Sequence, residues 1–320
     1  MLSRVAENLY WISRYVERVE NVARLLDVGF HLELDASAPM KESSEPSPIE
    51  GVLTILACRE AFERDRDATE RDRENVLRFL TFDRHNPHSI LAMLWRAREN
   101  ARATQEMLGG ESWSQVNKLY LYLCSSKAHR RFAASPPRFF DGIKRACVLF
   151  DGLVDGSLPR EEVFHFLQIG RYLERVNQIG RILTEQLGDW NETSVEDQPA
   201  RAIHWASLLR GCSAYEAYCR AHHERVDPRG VVEFLVLSPD FPRSMRFCVT
   251  KCRESAREIT DSDDDEVRSE ADRLLGRLDS RLRYIEVDEI LGVGIVPFLA
   301  EVQQECDLIG DAIHSTYFYA

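Results

Sequence analysis

From Ile12 to Leu26 apolar residues return every three or four positions: Ile12, Tyr15, Val16, Val19, Val22, Ala23 and Leu26. A helix turns about 100° per residue, so with Arg14 at zero these seven fall between roughly 80° and 200°, a broad apolar stripe. Arg14, Glu17, Arg18 and Asn21 fall on the other face, with Arg24 flanking them. The same order comes back 157 positions later. Ile169, Tyr172, Leu173, Val176, Ile179, Gly180 and Leu183 form a second stripe, opposed by Arg171, Glu174, Arg175, Gln178 and Arg181. The phrase RYVERVENVAR at residues 14–24 is rewritten as RYLERVNQIGR at 171–181.

The helical period predicts helices over 3–33, 49–83, 87–108, 111–126 and 137–153, then over 160–187, 200–222, 228–237 (short), 241–260, 264–284 and 293–318. Alternation with the strand period is rare, so the fold class read from the chain is all-α. Loops are expected where Pro, Ser, Gly and acidic residues gather, at 35–48, 188–199 and 260–266. The run Asp261-Ser262-Asp263-Asp264-Asp265-Glu266 reads as a solvated helix start, because carboxylates suit a helix N-terminus. The mixed charges of 64–74 read as a solvated, salt-bridged helix face.

Further echoes accompany the repeated phrase. Asn86-Pro87-His88-Ser89-Ile90 is answered by Phe241-Pro242-Arg243-Ser244-Met245, and Phe79-Leu80 by Phe234-Leu235. Arg98-Glu99 with Arg102 is answered by Arg253-Glu254 with Arg257. Ala61-Phe62 resembles Ala217-Tyr218, and the surroundings of Cys147 resemble those of Cys306. Collinear matches at a nearly constant offset predict two homologous halves, 1–157 and 158–320. The simplest packing is a pair of helical bundles related by a pseudo-twofold and sharing one core, a single compact domain.

Composition agrees with long helices: of 320 residues only 16 are Gly and 12 Pro, and 44% are hydrophobic, enough for a core. The formal charge of −12 argues against a general nucleic-acid binder. No apolar stretch approaches the about 18 residues of a membrane span, and MLSRVAENLYWISRY lacks a secretion core, so a cytoplasmic protein is expected. The Asn191-Glu192-Thr193 sequon then carries no weight. Eight Cys contain no C-x-x-C; Cys248 and Cys252 share a helix face, but no His-rich run completes a metal site, so reduced thiols and no metal are expected.

No phosphate loop, dinucleotide fingerprint, H-E-x-x-H or G-x-S-x-G is present. His222 and His223 are adjacent and point to different helix faces, which makes them poor joint ligands. His165 reads as a packing residue. Tyr10, Trp11, Trp113, Tyr120 and Tyr122 read as core.

The repeated charges are harder to place. Surface exchanges usually cost within about ±0.5 kcal/mol, so a wet face drifts after duplication. Arg, Glu, Arg and Arg nevertheless persist at matching positions while Glu20 has become Asn177. Arg14 and Arg18 stand at i,i+4 and repel; Glu17 balances only one of them. Arg98 and Arg102 with Glu99, and Arg253 and Arg257 with Glu254, repeat that arithmetic. Three readings stand: a buried structural ion network, an anion or peptide site in which guanidinium forks hold carboxylate or phosphate, or plain surface. In the first two the twin helices converge on one shared polar centre. Glu17 and Glu174 form a candidate carboxylate pair, though Arg neighbours lower their pKa and favour positioning over acid catalysis.

MLSRVAENLYWISRYVERVENVARLLDV, FLTFDRHNPHSI, RARENAR, FFDGIKRACVLFDGL, FLQIGRYLERVNQIGRIL, SAYEAYCR and VVEFLVLSPDFPRSMRFC together resemble the bacterial alpha-E family, from residue 1 to about 319. The resemblance implies an all-helical protein whose Glu-Arg pairs fall on Glu17-Arg18 and Glu174-Arg175. Ser13 stands where the family usually has Gly; Gly170 follows the family. Members are typically encoded beside, or fused to, circularly permuted ATP-grasp ligases, often with a transglutaminase-like protease. The resemblance therefore implies a component of a peptide- or amide-forming system, with ATP and Mg²⁺ in the partner ligase and none in this chain. In that role Arg14, Arg18, Asn21, Arg98, Glu99, Arg102, Arg171, Arg175, Gln178, Arg253 and Glu254 bind a peptide or amine substrate or its acyl phosphate. Glu17 and Glu174 orient it or accept a proton. The alternatives are a scaffold whose Glu-Arg network is purely structural, and a free-standing enzyme.

Overall fold

A computed structural model describes residues 1–36, 47–64, 72–187, 198–222, 226–260 and 269–318. The acidic run at 261–266, the sequon, His223 and the middle of the mixed-charge run lie outside them. The described residues are helical and contain no strand. In chain order the helices are α1 (Ser3–Ala36), α2 (Pro48–Ile55), α3 (Arg59–Glu63), α4 (Arg73–Phe82), α5 (Ile90–Ala103), α6 (Gln105–Leu108), α7 (Gly110–Leu123), α8 (Ser126–Ala134) and α9 (Pro136–Ser157). Then follow α10 (Glu162–Leu187), α11 (Gln198–Gly211), α12 (Tyr215–Ala221), α13 (Pro228–Val232), α14 (Met245–Thr260), α15 (Glu270–Tyr284), α16 (Val287–Val293) and α17 (Ile295–Ile313). Wider π-helical turns extend α13 through Glu233–Leu237 and α17 through His314–Phe318.

The chain forms two compact units, Trp11–Leu158 and Met1–Tyr10 with Pro159–Ala320. In the second of these, α10 packs on α14 and α17, and α15 closes the ring by packing on both α14 and α17. Cys252 Sγ donates to Ile169 O at 3.7 Å across the α10–α14 seam. Gly180 permits the close approach of α17, since a Cβ there would stand 2.7 Å from Gln303 Nε2. In the Trp11–Leu158 unit, α5 packs on α7 and α7 on α9. Helix α1 meets α9 where Lys144 Nζ lies 2.6 Å from Asp27 Oδ2, and α5 where Arg96 lies over the Tyr15 ring at 5.9 Å. Gly29 lets the end of α1 approach the start of α2; a Cβ there would meet Pro48 O at 3.3 Å.

The expected helices 49–83 and 200–222 are each broken. Ala57 has φ 52° and Ser213 φ 55°, left-handed positions that cost a non-glycine residue roughly 1–2 kcal/mol. Each break closes with the same paired bonds. Ala57 N donates to Thr54 O and Cys58 N to Leu53 O, both at 2.9 Å; Ser213 N donates to Arg210 O at 3.0 Å and Ala214 N to Leu209 O at 2.7 Å. These bonds satisfy the last carbonyls of α2 and α11. Cys58 is buried beyond its break, and burial pushes its thiol up to about 12.

Helix starts also shift. The expected 87–108 begins at Ile90, because Ser89 Oγ accepts from Ala92 N at 3.1 Å and donates to Asp83 O at 2.5 Å. The expected 241–260 begins at Met245 for the same reason: Ser244 Oγ accepts from Phe247 N at 3.1 Å and donates to Ser238 O. Thr104, buried between α5 and α6, ends the first of these two early. Helices α8 and α16, at 126–134 and 287–293, were not anticipated; the expected 264–284 begins at Glu270 among the described residues, capped by Ser269. No helix among the described residues is long and apolar enough to cross a membrane.

Candidate functional site

The polar face of α1 is largely buried. Glu17 is 3% exposed, Glu20 2% and Asn21 5%; Arg14 is buried too, while Arg18 is half-buried. Ionic groups at that depth persist only with partners. Glu20 accepts from Arg24 one turn on, and Asp27 pairs with Lys144. Glu17 and Glu20 both act on Cys147 of α9. Burial, Glu20, Asp151 and Glu17 together hold that thiol well above its usual value. The guanidinium groups lie on an aromatic ladder. Trp11 and Tyr15 stack at 5.4 Å; Arg14 lies 5.1 Å over Trp11, and Arg18 5.8 Å over Trp11 and 6.0 Å over Tyr15. Such contacts contribute about 0.5–1 kcal/mol at exposed sites and more when dry.

Helix α10 repeats this burial. Arg171 is 4% exposed and Glu174 3%; Arg175, Asn177 and Gln178 are buried as well, while Arg181 is exposed. Gln178 Nε2 donates to Glu174 Oε1 at 3.3 Å, and Arg175 Nη1 to Pro242 O at 3.4 Å. Arg171 and Arg175 lie 5.9 and 5.5 Å from the Tyr172 ring, which meets Phe247 of α14 at 5.9 Å. His165, six residues before Arg171, is buried, and burial lowers its pKa against the opposing pull of Glu258.

The second repeated element is oriented otherwise. Arg98 Nε donates to Asn117 Oδ1 of α7 at 2.8 Å and Nη1 to Glu99 Oε1 at 2.6 Å. Its guanidinium lies 5.1 Å over Tyr120 and 5.9 Å over Trp113. Glu99 also accepts from Arg102, which is exposed. Arg253 Nη1 donates to Asp279 Oδ2 of α15 at 2.8 Å. Glu254 turns outward to Lys251 at 2.6 Å. Arg98 and Arg253 are thus held against α7 and α15. Of the aromatics expected in the core, only Tyr10 is buried; Trp11, Trp113, Tyr120 and Tyr122 are half-buried, and three of them face guanidinium groups. A ring under an arginine needs an open edge, which helical spacing does not reveal.

Two important acids escaped the sequence reading. Glu20 was passed over because its counterpart is Asn177. Asp279 lies fully buried between Arg253, Arg283 at 2.9 Å and the Thr250 hydroxyl at 2.6 Å. It stands among Leu275, Leu278 and Leu282 on one apolar stripe, and an acid in such a stripe is the signal that was available. Among the described residues no group of three His, Cys, Asp or Glu stands where it could hold a metal.

Residues 1–318 match the Alpha-E family, described as a predicted alpha-helical domain with a conserved ER motif. The chain belongs to the Alpha-E family. The Glu-Arg pairs Glu17-Arg18 and Glu174-Arg175 lie in mid-helix on α1 and α10. Relatives include an uncharacterized protein of Mycobacterium bovis, 23% identical over 93% of this chain and 34% of its own length. Uncharacterized proteins of two Mycobacterium tuberculosis strains are 23% and 22% identical over the same shares. The Alpha-E chain thus spans about a third of the length of these relatives. No solved structure matches it.

Proposed function

We propose that this Alpha-E chain is an internally duplicated helical component of an ATP-grasp-dependent system that makes or modifies peptide or amide bonds. Each copy of the Glu-Arg phrase offers anion-binding guanidinium groups. Arg14 and Arg18 on α1, and Arg171 and Arg175 on α10, take carboxylate or acyl-phosphate oxygens of a peptide substrate. Glu17 and Glu174 fix their forks or accept a proton from the attacking amine, and Asn21 and Gln178 support them. Arg98, Glu99 and Arg102 on α5, and Arg253 and Glu254 on α14, bind further polar groups of the substrate. ATP and Mg²⁺ belong to the circularly permuted ATP-grasp ligase, and a transglutaminase-like protease is a further partner.

One observation carries the reading: Glu17 and its counterpart Glu174 are each 3% exposed, and Arg14 and Arg171 are buried with them at 9% and 4%, at depths where apolar residues would usually be no worse for stability. The left-handed breaks at Ala57 and Ser213, closed by the same bonds, support the duplication. The relatives' greater length supports a setting in which this region is joined to other sequence. Reconstitution tests the proposal: a circularly permuted ATP-grasp ligase from the same genome is incubated with peptides and ATP, with and without this chain, and products are weighed by mass spectrometry. A product that needs both proteins is expected; one made equally well by the ligase alone would refute the role.

The Gln178–Glu174 bond favours a second reading, since a carboxylate already held by a neutral neighbour suits a structural network. In that case Glu174→Gln lowers the melting temperature, and ligase turnover merely tracks the folded fraction.

A further inference from the structure

In the unit formed by Met1–Tyr10 and Pro159–Ala320, a groove of about 580 Å³ runs along α14, α15 and α17. Its walls are Arg253 and Arg257 of α14, Arg273, Arg277 and Arg281 of α15, and Glu305 of α17, with Asp272 and Ser280 beside them and Gly276 on the floor. We infer that this groove binds an extended acidic peptide. The site does not depend on the Glu-Arg phrase of α1 and α10; of the residues assigned above it shares only Arg253, which its test does not vary.

The lining explains the class of ligand. It contains no aromatic or aliphatic side chain, so an acyl chain has no apolar wall to lie against. The volume is that of a small-ligand site. Five guanidinium groups and two carboxylates line it, and Asp279, Glu301 and Glu270 stand against the same arginines. Their present partners hold them unequally. Arg253 is tied to the buried Asp279. Arg281 reaches Glu305 at 3.0 Å and Glu301 at 2.5 Å. Arg273 pairs with Glu270 one turn back, both about half exposed, and exposed pairs contribute only about 0–1 kcal/mol. Arg277 is exposed and makes no hydrogen bond or ion pair among the described residues. Arg273 and Arg277 can therefore turn to a ligand at little cost.

Spacing selects a peptide. Arg273, Arg277 and Arg281 stand at i, i+4 and i+8, about 6 Å apart along the helix axis. In an extended chain, alternate side chains on one side are about 6.6–6.8 Å apart. A peptide with acids at every second residue thus offers one carboxylate per guanidinium fork. Ser280 and Glu305 can accept or share its backbone N–H groups. A chain of phosphates carries charge more densely and would face Glu305 and Asp272 with no donor to offer them.

The test uses the purified full chain and a fluorescein-labelled peptide of alternating Ala and Glu, followed by anisotropy at low salt. Saturable binding is expected, weakened about tenfold for each arginine lost in Arg273→Glu and Arg277→Glu. Gly276→Leu, which fills the floor without changing charge, should weaken it as well. Arg145→Glu, at an exposed position on α9, should leave it unchanged. Thermal melts confirm that each variant is folded; Arg277→Glu, at an exposed position, decides the matter if Gly276→Leu is not. Absent saturation, or binding indifferent to Arg273→Glu and Arg277→Glu, overturns the site. Competition by tripolyphosphate as strong as by unlabelled peptide overturns the peptide assignment.

Discussion

The α5–α7 and α14–α15 pairs begin from nearly the same phrase and settle their arginines differently. In α5–α7 the Arg98 fork rests on a neutral partner, Asn117, and on the rings of Trp113 and Tyr120. In α14–α15 the corresponding Arg253 is tied to a fully buried carboxylate, Asp279, shared with Arg283 and Thr250. The first arrangement leaves a half-exposed aromatic wall, the second an arginine-lined groove above a buried charge. One guanidinium can thus be placed by ring faces or by a carboxylate, and the choice decides what the surface beside it can hold.

The contrast is sharpest under truncation. Asp279→Ala leaves Arg253 and Arg283 without their shared acid. Both are partly exposed and can reach water, so the loss should fall below that of a fully buried pair, at about 2–3 kcal/mol by chemical denaturation. Asn117→Ala removes one bond to a charged group from a half-exposed arginine that keeps Glu99 and two rings, and should cost about 1 kcal/mol. Equal losses would erase the distinction.

A pH series sharpens it further on the α10 side. His165 is buried with its pKa lowered, so the folded protein holds fewer protons than the unfolded chain between the depressed value and the ordinary His range. Stability contributed by the neutral ring is complete above the unfolded pKa, about 6.5, and declines as pH falls from there towards the folded value. Unfolding free energy should therefore fall as pH drops below about 6.5, and His165→Gln should flatten that segment. The smallest perturbation is a thiol count. Cys124, at the end of α7, and Cys219 are exposed, whereas Cys248 and Cys252 of α14 are buried and donate to backbone carbonyls. A disulfide reagent should react at once with Cys124 and Cys219, and with Cys248 and Cys252 only after unfolding.

Much of this architecture was legible in the chain. The 3.6-residue period located α1, α9 and α10 closely, because each carries an uninterrupted apolar stripe. Ala57 and Ser213 were invisible: neither is Gly or Asn, and the stripe continues through both breaks, so only the closing bonds reveal them. The burial of Glu17, Glu174 and Arg171 was open at the level of sequence, since a helical wheel shows one apolar face and says nothing of a second neighbour on the other. Helix α10 has such neighbours: it is buried nearly all round from Phe166 to Leu183. Glu20 was missed because comparison of the two copies rewards what is kept, and this acid is not.

The central claim is that the guanidinium groups of the Glu-Arg phrases act on substrate rather than only on the fold. Product formed per folded molecule in the Arg18→Ala, Arg175→Ala double variant, assayed with the ATP-grasp ligase, tests it most directly. Loss of product with the melting transition retained is the predicted result. Full product per folded molecule in that variant would contradict it.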